Sequence, residues 1–91
     1  MLIPSERMVA DKLRAAPPGE VTDLAVLRRS LAEEFGADAC CPVTVQRHMV
    51  AIAAEDSAPF WRMADPDRPF ARRLGGGERI RQRLAAELQA Q

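Results

Sequence analysis

The side chains with the greatest chemical reactivity in this sequence are two adjacent cysteines, Cys40 and Cys41, and one histidine, His48. Cys41 precedes Pro42 near a predicted helix start, where the pKa of a thiol can fall. A nucleophilic thiol also needs an oriented base, and we expect His48 to point elsewhere on the following helix. A metal site needs more ligands than these three residues supply at any usual spacing. We therefore predict no catalytic thiol and no metal site. We interpret both cysteines as small apolar residues that fill space in the packing.

Three consecutive glycines, Gly75, Gly76 and Gly77, precede the last predicted helix. Such a segment can bring backbone N–H groups close to a phosphate. It lacks the Lys-Ser/Thr pair of a nucleotide-binding loop, so we predict no ATP site and no cofactor. A hinge or a helix cap is the simpler interpretation.

The composition is that of one small globular domain, which we take to span residues 1–91. Thirteen basic residues balance thirteen acidic ones, and a net charge of zero argues against a generic nucleic-acid binder. The charge is uneven, however, because residues 1–56 carry −3 and residues 57–91 carry +3. Such asymmetry can create a local positive surface on a neutral protein.

The location that we expect is the cytoplasm, with both thiols reduced. The start of the sequence lacks the long apolar stretch of a signal peptide. No apolar run approaches the roughly 20 residues of a membrane span, so we expect no membrane partner. Adjacent cysteines also cannot easily form an unstrained disulfide with each other.

Helical periodicity and capping residues predict the elements that would position these groups. Ser5 is the expected cap of a first helix, and Thr22 and Thr44 are the expected caps of a second and a third. Gly36 is placed to end the second helix. The predicted apolar stripes are Met8, Val9, Leu13 and Ala16; Leu24, Leu27, Leu31 and Phe35; Val45, Met49 and Ile52; and Ile80, Leu84 and Leu88.

Residues 59–64 and 70–74 are predicted as two short strands that flank a turn at residues 65–69. The second and third helices, with their short connection, are typical of a helix-turn-helix, and the strand pair would be its wing. The predicted fold class is therefore mainly α with a small β-hairpin, a single winged helix-turn-helix-like domain. In such folds the later helix enters the major groove of DNA and the wing contacts the backbone.

Two groups of polar side chains follow from this arrangement. Thr44, Gln46 and Arg47 would lie at the start of the recognition helix, with Thr44 on a phosphate and the other two near base edges. Arg72 and Arg73 would contact the DNA backbone. The alternative for the first group is a helix cap and a solvated helix face, and for the second a solvated loop.

Four segments then follow one order along the chain, namely Gly19-Glu20-Val21-Thr22, Thr44-Val45-Gln46-Arg47, Pro59-Phe60-Trp61-Arg62-Met63 and Gly75-Gly76-Gly77 before the final helix. In order and spacing, over about residues 4–88, this pattern resembles the DNA-binding domain of the alkylguanine-DNA alkyltransferases. The resemblance is closer to their non-enzymatic alkyltransferase-like relatives. It implies double-stranded DNA as a partner, alkylated DNA in particular, contacts to DNA from Thr22, and a repair protein as a further partner.

The family's alkyl-accepting cysteine lies in a Pro-Cys-His-Arg-Val motif, and here Phe60 stands at the cysteine position. Pro59 and Arg62 keep the family identities, while Trp61 replaces the histidine and Met63 the valine. A phenyl ring is not a nucleophile and an indole is not a base, so we predict that the chain is not an enzyme.

The alkyltransferase-like relatives instead flip out an alkylated guanine and bind it. The resemblance therefore implies a lesion pocket formed by Phe60, Trp61 and Met63, with Arg62 on the DNA. The alternative for the three pocket residues is ordinary core packing.

Two positions depart from the family. A conserved family tyrosine corresponds to Leu24, and the arginine that fills the gap left by the flipped base corresponds to Val43. Arg47, one helical turn onward, would substitute only in part. Two functions therefore remain open: non-enzymatic DNA binding in repair, or a protein-interaction or regulatory domain that kept the fold without DNA binding. Arginines beside the exposed face of the third helix would favour DNA binding. Buried aromatic side chains would favour the protein-interaction or regulatory domain.

Overall fold

Four α-helices and two 3₁₀ helices make up residues 1–90, the part of the chain that the computed structural model describes. The α-helices are α1 (Glu6–Ala15), α2 (Leu24–Glu34), α3 (Pro42–Glu55) and α4 (Gly77–Ala90), and the 3₁₀ helices are Phe60–Met63 and Pro69–Leu74. In these residues the β-pairing consists of one isolated parallel bridge, between Leu2 and Cys40. No helix within residues 1–90 is both long and apolar enough to span a membrane.

The caps of α1 and α2 explain where these helices begin. The prediction for α1 is confirmed, because Ser5 Oγ accepts a hydrogen bond from the Met8 N–H at 3.2 Å. The prediction for α2 is wrong by one residue: Asp23, and not Thr22, is the N-cap. Asp23 Oδ1 accepts from the backbone N–H groups of Ala25 and Val26 at 2.9 and 3.3 Å. A carboxylate is favoured there because its charge also complements the positive end of the helix dipole.

Helix α3 begins three residues earlier than predicted, at Pro42 with Cys41 as its N-cap, so Thr44 is inside the helix and not its cap. Proline suits the first helical position, where its missing N–H has no helical partner to lose. Cys41 is the N-cap residue, and the Thr44 hydroxyl donates to its Sγ at 3.3 Å. The predicted apolar stripe is confirmed, since Val45, Met49 and Ile52 are fully buried.

The two predicted strands are 3₁₀ helices, so the β-hairpin is absent from residues 1–90. Their backbone bonds are local, as in Arg62 N–H to Pro59 O at 3.2 Å and Ala71 N–H to Arg68 O at 3.0 Å. Prolines at 59 and 69 suit such turns because they have no N–H to donate to a strand pair. The buried pairs are Phe60 with Met63 and Ala71 with Leu74. This spacing of three residues is the period of a 3₁₀ helix.

The core lies between α1, α2 and α3, and α4 covers it together with the two 3₁₀ helices. Ile80 and Leu84 of α4 are buried as predicted, but Leu88 is 58 % exposed. Leu88 instead packs against Gly19, whose φ of +79° and missing side chain leave the room that Leu88 uses. A Cβ at position 19 would lie 2.8 Å from Leu88 Cδ2. The last turn of α4 thus meets the loop after α1 and not the core.

Candidate nucleic-acid interface

The three residues predicted as a lesion pocket lie in or against the core. Phe60 is fully buried, Met63 is buried and Trp61 is partly buried. The rings of Phe60 and Trp61 meet edge to face, with centroids 5.2 Å apart and planes at 82°. The side chain at the family's cysteine position therefore points into the protein interior.

Arginines of α4 cover the faces of these two rings. The guanidinium of Arg79 lies 4.6 Å from the centroid of Phe60, and that of Arg83 lies 5.1 Å from the centroid of Trp61. Cations attract the negative face of an aromatic ring, so these contacts hold α4 in place. The surfaces on which a flipped base would stack are consequently occupied by the protein's own side chains.

Glu87 of α4 organises a second set of contacts, which we call the Glu87 cluster: Glu87, Arg62, Trp61 and Gly19. One carboxylate oxygen accepts from Trp61 Nε1 at 2.7 Å and from the Gly19 N–H at 3.2 Å. The other accepts from Arg62 Nε at 2.9 Å and Nη2 at 2.6 Å. Burial raises the pKa of Glu87, but the hydrogen bonds from Arg62, Trp61 and Gly19 outweigh it and hold the pKa below its ordinary value. Sequence reasoning missed Glu87, because no local pattern distinguishes it from other exposed-looking helix glutamates.

The hydrogen bonds of the Arg62 side chain go to groups within the protein. Besides binding Glu87, its Nη1 donates to the carbonyl oxygens of Leu13, Arg14 and Ala16 at 3.4, 3.1 and 3.4 Å. These carbonyls lie at the end of α1, where the last carbonyl groups of a helix lack intrahelical donors, although that of Leu13 also accepts from the Ala16 N–H at 3.2 Å. The sequence predicts that Arg62 contacts DNA, but its side chain already hydrogen-bonds to several groups within the protein.

The start of α3 carries the predicted recognition residues. Arg47 is exposed and has no carboxylate partner within residues 1–90, whereas Thr44 and Gln46 are partly buried. The hydroxyl of Thr44 lowers the pKa of the Cys41 thiol by its hydrogen bond, and the charge of Arg47 adds to this effect.

The remaining reactive groups near α3 face other directions. Burial raises the pKa of Cys40, so that thiol stays protonated. The ring Nε2 of His48 lies 2.9 Å from the Pro4 carbonyl oxygen. In residues 1–90 no group of three or more His, Cys, Asp or Glu side chains is arranged to hold a metal ion.

A cavity of about 390 Å³ opens beside this part of α3. Its walls include Leu24 at the start of α2, Gln46 of α3 and Phe70 of the second 3₁₀ helix. Arg28 also lines it, and the Arg73 guanidinium lies 5.6 Å from the centre of the Phe70 ring. Sequence reasoning missed Arg28 and Phe70, since only the folded chain brings α2 and the 3₁₀ helix to α3.

Both signs of charge line this cavity, because Asp23 and Asp65 lie in its walls together with Arg28 and Arg68. Arg28 also lines a second hollow, of about 370 Å³, together with Arg29 and Cys40. Among the described residues Arg28, Arg29, Arg47 and Arg73 have no carboxylate within ion-pair distance, although Glu33 and Asp38 lie at the rim of the second hollow. We call the surface formed by Arg28, Arg29, Gln46, Arg47 and Arg73 the α2–α3 face.

The other predicted residues lie around this face. Thr22 precedes the Asp23 cap and is partly buried, and Val43 is 60 % exposed on the first turn of α3. Arg72 and Arg73 are both exposed on the second 3₁₀ helix. Of the predicted residues, Gln46 lines the 390 Å³ cavity and Arg73 lies over its Phe70 ring, while Thr44 and Arg47 lie elsewhere on the first turns of α3. Phe60 and Met63 are buried, and Trp61 and Arg62 are partly buried.

Comparisons with protein-family models, with curated proteins and with solved structures find no match to this chain.

Proposed function

We propose that this protein is a non-enzymatic DNA-binding module that binds double-stranded DNA through the α2–α3 face. The observation that carries the proposal is the group of unpartnered arginines beside the exposed start of α3. Elsewhere the basic side chains mostly bind carboxylates, as Lys12 binds Glu34 at 2.8 Å and Arg83 binds Asp56 at 2.7 Å. Arginines that lack an internal partner are available to phosphates.

The succession of α2 and α3 supports the proposal, in which these two helices act as a helix-turn-helix. The two helices are joined by a short connection, and Arg47 and Val43 are exposed on the first turns of α3. In a winged-helix protein this helix would face the groove and the segment at residues 69–74 would lie beside it. In this proposal the 3₁₀ helix takes the place of the wing, with Arg73 as its backbone contact.

The proposed activity is binding and not catalysis. The lining of the 390 Å³ cavity contains no thiol, hydroxyl or imidazole group, and Cys41 is not part of it. Phe60 occupies the family's cysteine position inside the core. Neither place supplies the thiol that accepts the alkyl group in that family, although the carboxylates of Asp23 and Asp65 line the cavity.

A repair role with a flipped alkylated guanine is a second form of the proposal, and the same cavity favours it. Its volume lies in the range of small-molecule sites. The partly exposed Phe70 ring would offer a stacking surface to a base that displaces the Arg73 guanidinium, which lies 5.6 Å from the ring centre. The flipped base would then lie between Leu24, Gln46 and Phe70, and not on the buried aromatic residues near position 60.

Fluorescence anisotropy with a labelled duplex at two salt concentrations tests DNA binding. The double variant Arg28→Gln, Arg47→Gln should weaken binding and lower the salt slope by about 2, because two phosphate contacts are lost. Arg7→Gln is the matched control, since Arg7 is exposed on α1 outside the α2–α3 face. Negligible binding of the unchanged protein at low salt would remove the proposal.

The lesion form is tested with duplexes that contain guanine or alkylguanine. A preference for the alkylated duplex should fall on Phe70→Leu by roughly 5-fold or more, because base–aromatic stacking contributes about 1–3 kcal/mol. Phe35→Leu is the control, since Phe35 is half exposed at the end of α2, away from the cavity. Equal affinity for both duplexes would leave general DNA binding and exclude lesion recognition.

A protein-interaction or regulatory domain is the alternative function. The sealed Phe60 and the internal role of Arg62 favour it, as do exposed apolar side chains such as Val26 and Val43 on α2 and α3. The two functions give opposite results in the anisotropy experiment.

A further inference from the structure

A third concave surface adjoins the 390 Å³ cavity along the second 3₁₀ helix, and Arg68, Pro69 and Ala71 line both. It is a hollow of about 420 Å³, which we call the arginine hollow because Arg68, Arg72 and Arg81 line it. Asp67 is the one acidic residue in its lining. The remaining lining residues are uncharged, namely Pro66, Pro69, Ala71 and Gly77. Three guanidinium groups therefore border one hollow with a single carboxylate.

The ion pairs within and around the arginine hollow engage Arg81 and Arg68 but leave Arg72 without a carboxylate partner among the described residues. Arg81 binds Asp67, and its contact with Glu78 is long, at 3.8 Å. Arg68 lies 3.9 Å from Asp65, and 69 % of its side chain is exposed. Exposed pairs at such distances contribute little. Arg72 has no carboxylate within ion-pair distance in residues 1–90.

The walls of the hollow are held by close backbone packing. The start of α4 lies against the turn at residues 65–68, and a Cβ at Gly77 would collide with the Pro66 carbonyl oxygen. The turn is closed by the Arg68 N–H to Asp65 O bond at 3.2 Å. The three arginine backbones therefore keep a fixed relation, and only the side chains move.

We propose that the arginine hollow binds one phosphate group, and that in the DNA complex this group belongs to the backbone. The second statement rests on the proposed function. Guanidinium groups match the geometry of phosphate oxygens with paired N–H donors. Arg72 faces this hollow while Arg73, the next residue, stacks on Phe70 at the 390 Å³ cavity. The second 3₁₀ helix would thus carry two phosphate contacts, one from each of these adjacent arginines.

Titration with inorganic phosphate at constant ionic strength tests the site itself. NMR signals of the arginine Nε–Hε groups should shift and saturate for Arg68, Arg72 and Arg81. Arg72→Gln should abolish the saturation at the other two residues, whereas Arg7→Gln should leave it unchanged. Shifts that stay linear in phosphate, or saturation that survives Arg72→Gln, would overturn the proposal.

A DNA titration separates this site from the α2–α3 face. Arg72→Gln should lower the salt slope of duplex binding by about 1, in addition to the loss from Arg28→Gln and Arg47→Gln. If DNA binds with an unchanged slope in Arg72→Gln, the proposed function stands and the backbone contact is wrong. If phosphate saturates but no duplex binds, the proposed function is wrong, and the hollow is a site for a free phosphate-bearing ligand.

Discussion

Glu87 shows how one carboxylate can specify much of a small fold. It receives hydrogen bonds from an indole, a guanidinium and a backbone N–H, and its side chain is 15 % exposed. Removing the Glu87 carboxylate leaves all of these donors without it as their acceptor, which costs more than the loss of a surface ion pair. The residue thus matters for stability although no motif marks it.

Glu87→Gln should lower the free energy of unfolding by about 1–3 kcal/mol, because the ion pair with Arg62 is lost from a largely buried position. Denaturant unfolding followed by circular dichroism measures this. Glu34→Gln, which breaks the more exposed pair with Lys12, should cost about 0–1 kcal/mol. Equal effects of the two variants would contradict the assigned role.

The same carboxyl should make stability depend on pH. Its pKa is lower in the folded protein than its ordinary value, so the unfolded chain binds the proton more tightly. The contribution is therefore complete above the ordinary pKa of a glutamate and is lost as pH falls through the lower folded value. Unfolding curves across the acid range should show a shallower loss for Glu87→Gln than for the unchanged protein. Parallel curves would contradict the prediction.

Cys41 and Cys40 should differ in reactivity although they are adjacent. The hydrogen bond from Thr44 lowers the pKa of Cys41, whereas burial raises that of Cys40. We expect iodoacetamide to modify Cys41 first and at lower pH, as peptide mass spectrometry can follow. Thr44→Val should slow the reaction of Cys41 without exposing Cys40, and faster labelling of Cys40 would refute this order.

At the scale of elements, the helices could be predicted well and the short segments could not. Stripes such as Val45, Met49 and Ile52 repeat over several turns, so their period is unambiguous. Residues 59–64 and 70–74 are too short for periodicity to separate a strand from a 3₁₀ helix. In a strand Phe60 and Arg62 would share one face, but here Phe60 and Met63 share the buried side.

The candidate site depended even more on contacts between distant residues. Thr44, Gln46, Arg47 and Arg73 could be chosen from the sequence because helix starts and exposed arginines have local signatures. The internal role of Arg62 could not, since its partners lie 25 residues later in α4 and more than 45 residues earlier in α1. A residue that a sequence resemblance marks as a surface contact can therefore be part of the interior.

Gly77→Ala tests how α4 is joined to the turn before it. The added methyl group collides with the Pro66 carbonyl, so we expect a loss of about 1–3 kcal/mol in the free energy of unfolding. Gly36→Ala is the comparison, because position 36 has a φ of +65° but open space around it. Its expected loss is the backbone strain alone, about 1–2 kcal/mol. A neutral Gly77→Ala would show that the two segments are not in close contact.

At the scale of the whole molecule, the four helices should unfold together. The Glu87 cluster joins α4 to the end of α1 and to the first 3₁₀ helix, and Arg79 and Arg83 add contacts to the same rings. Trp61 is the only tryptophan and lies in this cluster. Its fluorescence and the far-ultraviolet circular dichroism should report coincident transitions in urea. An earlier fluorescence transition would show that α4 detaches on its own.

The hydrogen bond between Gly19 and Glu87 closes a loop of 68 residues. During synthesis on the ribosome, α1 and the first 3₁₀ helix emerge before Glu87, the residue that accepts these hydrogen bonds. Until residue 87 has left the exit tunnel, Arg62 and the Trp61 indole have no carboxylate to bind. The core of the nascent chain therefore stays incomplete during that interval. Chaperones that hold unfolded chains then have their longest opportunity to bind it.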